Sequence, residues 1–157
     1  MKQINVGIIG TGWCGGIRAE TCAMNPLVKD LHVVETRPER LAEIARKTNA
    51  KSATTDYKEL IQRDDIDAVF ISATPEVLHY PMARECLLSG KHVFLEKPIA
   101  VELHEADDLI HLAHKNNLKF SIGYSQRFNP KFAYVKQSLR DGTLGKPVSA
   151  LVSRHIT

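Results

Sequence analysis

The stretch Ile4-Asn5-Val6-Gly7-Ile8-Ile9-Gly10-Thr11-Gly12-Trp13-Cys14-Gly15 decides the fold. Its first half is an apolar, β-branched run with the length of a buried strand. Its second half reads G-x-G-x-x-G and opens a helical pattern from Cys14 to Met24. Strand, glycine turn and helix in that order are the setting in which this pattern binds a dinucleotide. Gly10 permits the tight turn. Gly12 lets the backbone approach a pyrophosphate, and Gly15 lets the helix pack close to the strand. The first N–H groups of the helix then face the phosphates. A plain strand-to-helix turn needs one glycine, not three. Gly10, Thr11, Gly12, Trp13, Cys14 and Gly15 are therefore cofactor-binding candidates. Trp13 is placed to cover a phosphate or to pack on the protein. Cys14 stands at a helix start, where a thiolate is favoured, but reads as an ordinary thiol.

Working outward, strand-like runs alternate with helical ones, the pattern of βαβ units and a parallel sheet. Strands are expected at Ile4–Ile9, Leu31–Glu35, Ala68–Ser72, His92–Leu95 and Lys119–Gly123, with a weaker one at Lys51–Thr54. Helices are expected at Cys14–Met24, Pro38–Lys47, Tyr57–Gln62, Pro75–Ser89 and Leu103–Asn116, the fourth started by Thr74 and Pro75. Right-handed crossovers then give an α/β fold with a doubly wound, mostly parallel sheet. After Gly123 the character changes. Asn129–Arg140 reads as a further helix, Gly145-Lys146-Pro147 as a turn, and Val148–Ile156 as a strand with one wet face. We expect a dinucleotide-binding domain over residues 1–124. Residues 125–157 would be a linker helix and the first strand of a second α/β domain.

Composition excludes several classes. With 157 residues, 43% hydrophobic and 25% charged, the chain is of ordinary globular make-up. Basic residues number 21 against 18 acidic, a net +3 spread along the chain, which makes no case for nucleic acid or a membrane surface. No apolar run is long enough to span a bilayer. The strand starting at Ile4 leaves no room for a signal peptide. Cys14, Cys22 and Cys86 form no C-x-x-C, which reads as a reduced, cytoplasmic chain without a zinc site.

Glu35 ends the second strand about 20 residues beyond Gly15, where an acid accepts hydrogen bonds from the adenosine ribose. Arg37 and Arg40 follow, and an arginine there can pair with a 2′-phosphate. The carboxylate repels that phosphate, so NAD is favoured, with NADP as the alternative. S-adenosylmethionine sites share the loop and acid but not the third glycine. An FAD protein needs far more chain.

Two more turns lie at carboxyl ends of strands, where ligands bind in such sheets. Ala73-Thr74-Pro75 with His79 is placed to line the nicotinamide side, unless Thr74 only caps a helix and His79 faces solvent. Glu96-Lys97-Pro98 holds a lysine on extended backbone. A desolvated lysine there can act as acid, base or donor, with Glu96 tuning it. A surface salt bridge is the plain alternative. His104, His111 and His114 share a helix but lack a metal-ligand pattern and read as surface.

Together these segments resemble the Gfo/Idh/MocA oxidoreductases: the glycine loop, Thr74-Pro75 with His79, and Gly90-Lys91-His92-Val93-Phe94-Leu95-Glu96-Lys97-Pro98. Gly123-Tyr124-Ser125-Gln126-Arg127-Phe128-Asn129-Pro130 and Gly142–Val148 resemble the family's passage into its second domain. The resemblance implies NAD- or NADP-dependent hydride transfer on sugars, cyclitols or related polyols. It implies that Lys97 reaches substrate and nicotinamide, that Glu96 supports the cofactor pocket, and that His79 lies near it. Tyr124 and Arg127 are candidates to touch substrate. Family members are about twice as long, and their remaining catalytic residues lie in the second domain. A dinucleotide-binding module without turnover is therefore the alternative. The expected partner is a small polyol or sugar-like molecule. The strand expected at Val148–Ile156, without a sheet, would pair with another copy and give a homo-oligomer, with disorder or docking on the chain's own surface as the alternatives.

Overall fold

The computed structural model describes residues 2–153. These residues form β1 (Ile4–Ile9), α1 (Trp13–Met24), β2 (Val28–Val34), α2 (Pro38–Thr48), β3 (Ser52–Thr54), α3 (Tyr57–Ile61) and β4 (Ala68–Ile71). Then follow α4 (His79–Leu88), β5 (His92–Leu95), α5 (Leu103–Lys115), β6 (Phe120–Ile122) and α6 (Pro130–Arg140). The chain divides into two units, the first ending at Gly123 and the second beginning at Tyr124.

In the first unit six strands form one sheet in the order β3-β2-β1-β4-β5-β6. Every pairing is parallel. This is the doubly wound order, with the direction of winding reversing between β1 and β4. Alternation along the strands feeds two cores. Val6, Ile8, Leu31 and Val33 pack with Ala19 and Cys22 of α1 and Ile44 of α2. Ile9, Val34, Val69, Ile71, Val93 and Leu95 pack with Leu60 of α3, Leu87 of α4 and Leu109 of α5. Both faces are thus covered, which is why the strands read as continuous apolar runs.

Local chemistry sets the helix ends. Pro38 starts α2 and Asn49, at φ 49°, ends it in the left-handed region. Glu102 and Glu105 form a capping box at α5. Asn129 caps α6 by accepting from the Lys131 N–H. At α1 the capping position is Gly12, and no side chain caps that helix.

Three expectations need correction. The run after Pro75 is not one helix: a 3-10 turn, Glu76–Leu78, precedes α4, with Pro75 at its cap position and no cap from Thr74. β2 begins at Val28 instead of Leu31, because Ile4 pairs with Val28 across an irregular register. Val148–Val152 is not a strand. Residues 148–153 have no regular structure and are exposed, and 154–156 lie outside the described residues. Alternating apolar residues make a strand only where a neighbour completes the hydrogen-bond ladder. No strand pairs with this segment among the described residues.

The second unit contains a short 3-10 turn, Ser125–Phe128, and α6. Its chain closes back on α6 through a bond from the Leu144 N–H to the Ser138 carbonyl. No described helix is long and apolar enough to cross a membrane.

Candidate cofactor and active site

Where the winding reverses, the carboxyl ends of β1, β2, β4 and β5 border a cleft of about 650 Å³. Its walls come from the first unit alone. The glycine loop supplies Gly10, Gly12, Trp13 and Cys14, and the β2 end supplies Glu35 and Arg37. The turn after β4 supplies Ala73, Thr74 and His79, and the turn after β5 supplies Glu96 and Lys97. Eleven sequence candidates are therefore brought together by four strand ends.

The three glycines differ in their surroundings. Gly10 has φ +81°, and a Cβ there would stand 2.8 Å from the Ser72 carbonyl oxygen. A Cβ on Gly15 would lie 1.8 Å from the Gly10 carbonyl oxygen. A Cβ on Gly12 would meet no atom within 4 Å. Gly10 and Gly15 thus shape the protein, whereas Gly12 borders open space beside an uncapped helix start. That is the cradle a pyrophosphate requires.

Glu35 is 6% exposed. Its Oε2 accepts from the Thr11 N–H at 3.0 Å and the Thr11 hydroxyl at 2.9 Å. Its Oε1 accepts from Arg37 N–H at 3.2 Å and Arg37 Nε at 3.0 Å. Burial alone would raise this carboxyl, but the bonds from Arg37 and Thr11 outweigh it and hold the group at about 2. Thr11 is itself fully buried, and its carbonyl accepts from Arg40 Nε at 2.9 Å. Glu35 therefore ties β2 to the glycine loop as well as facing the cleft. Arg37 is a lid over it, with a side chain 65% exposed. The cleft-side face of this carboxylate is thus covered by an exposed side chain, whereas its Thr11 contacts are buried.

The sign of the acid response follows. The folded value lies below the ordinary 4.5, so Glu35 contributes stability in full above pH 4.5 and loses it as pH falls toward 2. Urea unfolding followed from pH 6 to 2.5 should show this loss, and Glu35→Gln should flatten that part of the profile.

His79 is 1% exposed and does not face solvent. Its Nδ1 lies 2.7 Å from the Pro98 carbonyl and its Nε2 3.0 Å from the Ala73 carbonyl. It staples the two turns that carry Thr74 and Lys97. Lys97 is exposed, so the desolvation expected for it is not present in this structure. Pro75 is exposed and outside the lining. Trp13 is 83% exposed at the cleft mouth. Tyr124 and Arg127 belong to the second unit, where both are exposed. His104, His111 and His114 are exposed on α5. Cys86 is buried, which pushes its thiol up to about 12.

Sequence reasoning missed Thr11 as a tether, Arg40 as its support, and Arg18, whose guanidinium pairs with Glu96. Only Arg18 left a signal: it follows Gly15 by one helical turn and so lies on the side of α1 that packs toward the sheet.

A family model described as "Oxidoreductase family, NAD-binding Rossmann fold" matches residues 4–124. The chain belongs to the Gfo/Idh/MocA oxidoreductase family. It is 31% identical over 144 residues to a myo-inositol 2-dehydrogenase of Thermotoga maritima, covering 92% of this chain and 43% of that protein. The scyllo-inositol dehydrogenase of Lactobacillus casei, solved with NAD(H) and scyllo-inositol, superposes with TM-score 0.85 at 31% identity, covering 92% of this chain and 43% of that one. A 3-ketoreductase of Actinomadura kijaniata, solved with TDP-benzene and NADP, gives TM-score 0.80 at 27% identity, covering 90% and 44%. The chain thus spans less than half the length of these relatives. Its first unit is an NAD-binding Rossmann fold, and the expected doubly wound parallel sheet and the family resemblance both hold.

Proposed function

We propose that this chain is the cofactor-binding part of a dehydrogenase that moves hydride between nicotinamide and the carbinol or carbonyl carbon of a polyol, cyclitol or sugar. The observation that carries this reading is the open space at Gly12, set at the switch point between Glu35 and the Glu96-Lys97 turn. A dinucleotide with its phosphates at Gly12 spans from the β2 end to the β4 and β5 ends. Glu35 then receives the adenosine ribose, and Thr74, Glu96 and Lys97 border the nicotinamide end. The nicotinamide supplies the hydride chemistry.

The protein's own task is orientation and charge. Lys97 is an ammonium donor on a turn anchored by His79, free to reach a substrate oxygen. In this reading it donates to the reacting oxygen and stabilises the charge that develops there. Tyr124 and Arg127 open the second unit and are candidates for substrate contact. The remaining proton-transfer groups, and the walls that exclude water from the site, belong to a further domain of a longer protein. The relatives' greater length supports the further domain, and the inositol dehydrogenases among them support the polyol reading. NADP is the second reading, favoured by the exposed guanidinium of Arg37 beside the ribose position.

The test is a titration with NADH and NADPH, read through the emission of Trp13, the single tryptophan of the chain. NADH should bind more tightly than NADPH. Glu35→Ser should weaken NADH about tenfold, the value of a charged hydrogen bond, and improve NADPH relative to it. An unshifted ratio means that Glu35 does not read the ribose. Absence of binding by either coenzyme overturns the proposed function.

A further inference from the structure

Arg18 and Glu96 form an ion pair at the nicotinamide end of the cleft. Both side chains are mostly buried, at 18% and 14% exposure. Glu96 lines the cleft and Arg18 stands behind it, outside the lining. Two further contacts hold Arg18. Its Nη1 donates to the Ser72 hydroxyl at 3.1 Å. Its guanidinium lies over the Phe94 ring, 5.0 Å from the centroid, and Phe94 stacks on Phe70 at 5.0 Å. Gly123 leaves the pair room, since a Cβ there would stand 2.9 Å from Arg18 Nη2 and 3.2 Å from Glu96 Oε2. So α1 and the ends of β4, β5 and β6 converge on one arginine, and that arginine neutralises one carboxylate.

The consequence is electrostatic. The two forms of the coenzyme differ at this end by one charge: the oxidised ring is a cation and the reduced ring is neutral. A lone carboxylate on the cleft wall favours the cation, and a lone guanidinium disfavours it. Resting on the function proposed above, we propose that Arg18 and Glu96 are a charge-balancing pair that sets the relative affinity for oxidised and reduced nicotinamide dinucleotide. Arg18 is a positioning residue acting through Glu96. Its fixed place behind Glu96 offsets that carboxylate beside the neighbouring Lys97, so that Glu96 does not hold the oxidised form at the expense of the reduced one.

The experiment measures Kd for NAD⁺ by calorimetry and for NADH by Trp13 emission, in wild type, Arg18→Met, Glu96→Gln and the double variant. Arg18→Met should lower the ratio Kd(NAD⁺)/Kd(NADH) about fivefold, and Glu96→Gln should raise it about fivefold. The double variant should return it to the wild-type value. A purely structural role moves both constants in the same direction and leaves the ratio alone, which overturns the proposal. Breaking a buried pair leaves an uncompensated charge and costs stability. If Arg18→Met does not fold, the ratio in Glu96→Gln against the double variant decides the sign. Binding by wild type with an unmoved ratio overturns this inference only. Wild type binding neither form overturns this inference and the proposed function together.

Discussion

Gly12→Val should lower NADH affinity by about a hundredfold or more while leaving the protein folded. Open space surrounds the position a Cβ would take, and φ there is −59°, outside the left-handed region that demands glycine. The side chain therefore meets nothing in the protein. It meets what the glycine loop is shaped to hold, because a valine fills the approach to the uncapped start of α1. Replacing glycine by valine at a helix cap costs about 1 kcal/mol, which is about 2–4 °C in Tm for a chain of this size. NADH titration alongside thermal unfolding gives both numbers. Unchanged NADH affinity in a folded Gly12→Val protein would falsify the assignment of this loop to the pyrophosphate.

Gly15→Ala should do the opposite, lowering Tm by about 10 °C. One methyl group there sits 1.8 Å from the Gly10 carbonyl oxygen, and the partner is backbone, which cannot rotate away. α1 has to move off β1. That movement also shifts Ala19 and Cys22, which are buried against Ile8 and Val33. Differential scanning calorimetry of Gly12→Ala and Gly15→Ala makes the comparison with the same added atom. Equal Tm values for the two would mean that α1 does not pack on the loop as described. Two glycines of one motif thus separate into a binding position and a packing position.

Much of this was legible along the chain. The β-branched run ending at Ile9, the three glycines and the apolar runs at Val69 and Val93 are local patterns. Each follows from the conformations a residue can adopt and from covering both faces of a parallel sheet. The doubly wound, parallel character of the sheet follows from right-handed crossovers between alternating strands and helices. Glu35, Thr74 and Lys97 were legible as neighbours in one cleft because each stands at the carboxyl end of a strand, a position countable in sequence. The final stretch was misread for the same reason. Alternation at Val148, Ala150 and Val152 is a local pattern too, but a strand is completed by its neighbour, and none pairs with it among the described residues.

The sequence by itself determined the parallel α/β sheet, the dinucleotide loop and the set of strand ends that border the cleft. Only the tertiary structure decided what each side chain does there. It bound Glu35 to Thr11 and Arg37, set His79 between two carbonyls, left Lys97 in solvent and placed Arg18 behind Glu96. These partners are separated by up to 78 residues along the chain for Arg18 and Glu96. Periodicity and turn chemistry act over a few residues, whereas hydrogen bonds and ion pairs depend on atoms a few ångströms apart in space. Charge balance at the nicotinamide end is such a property, and it exists only once α1 and β5 have packed together.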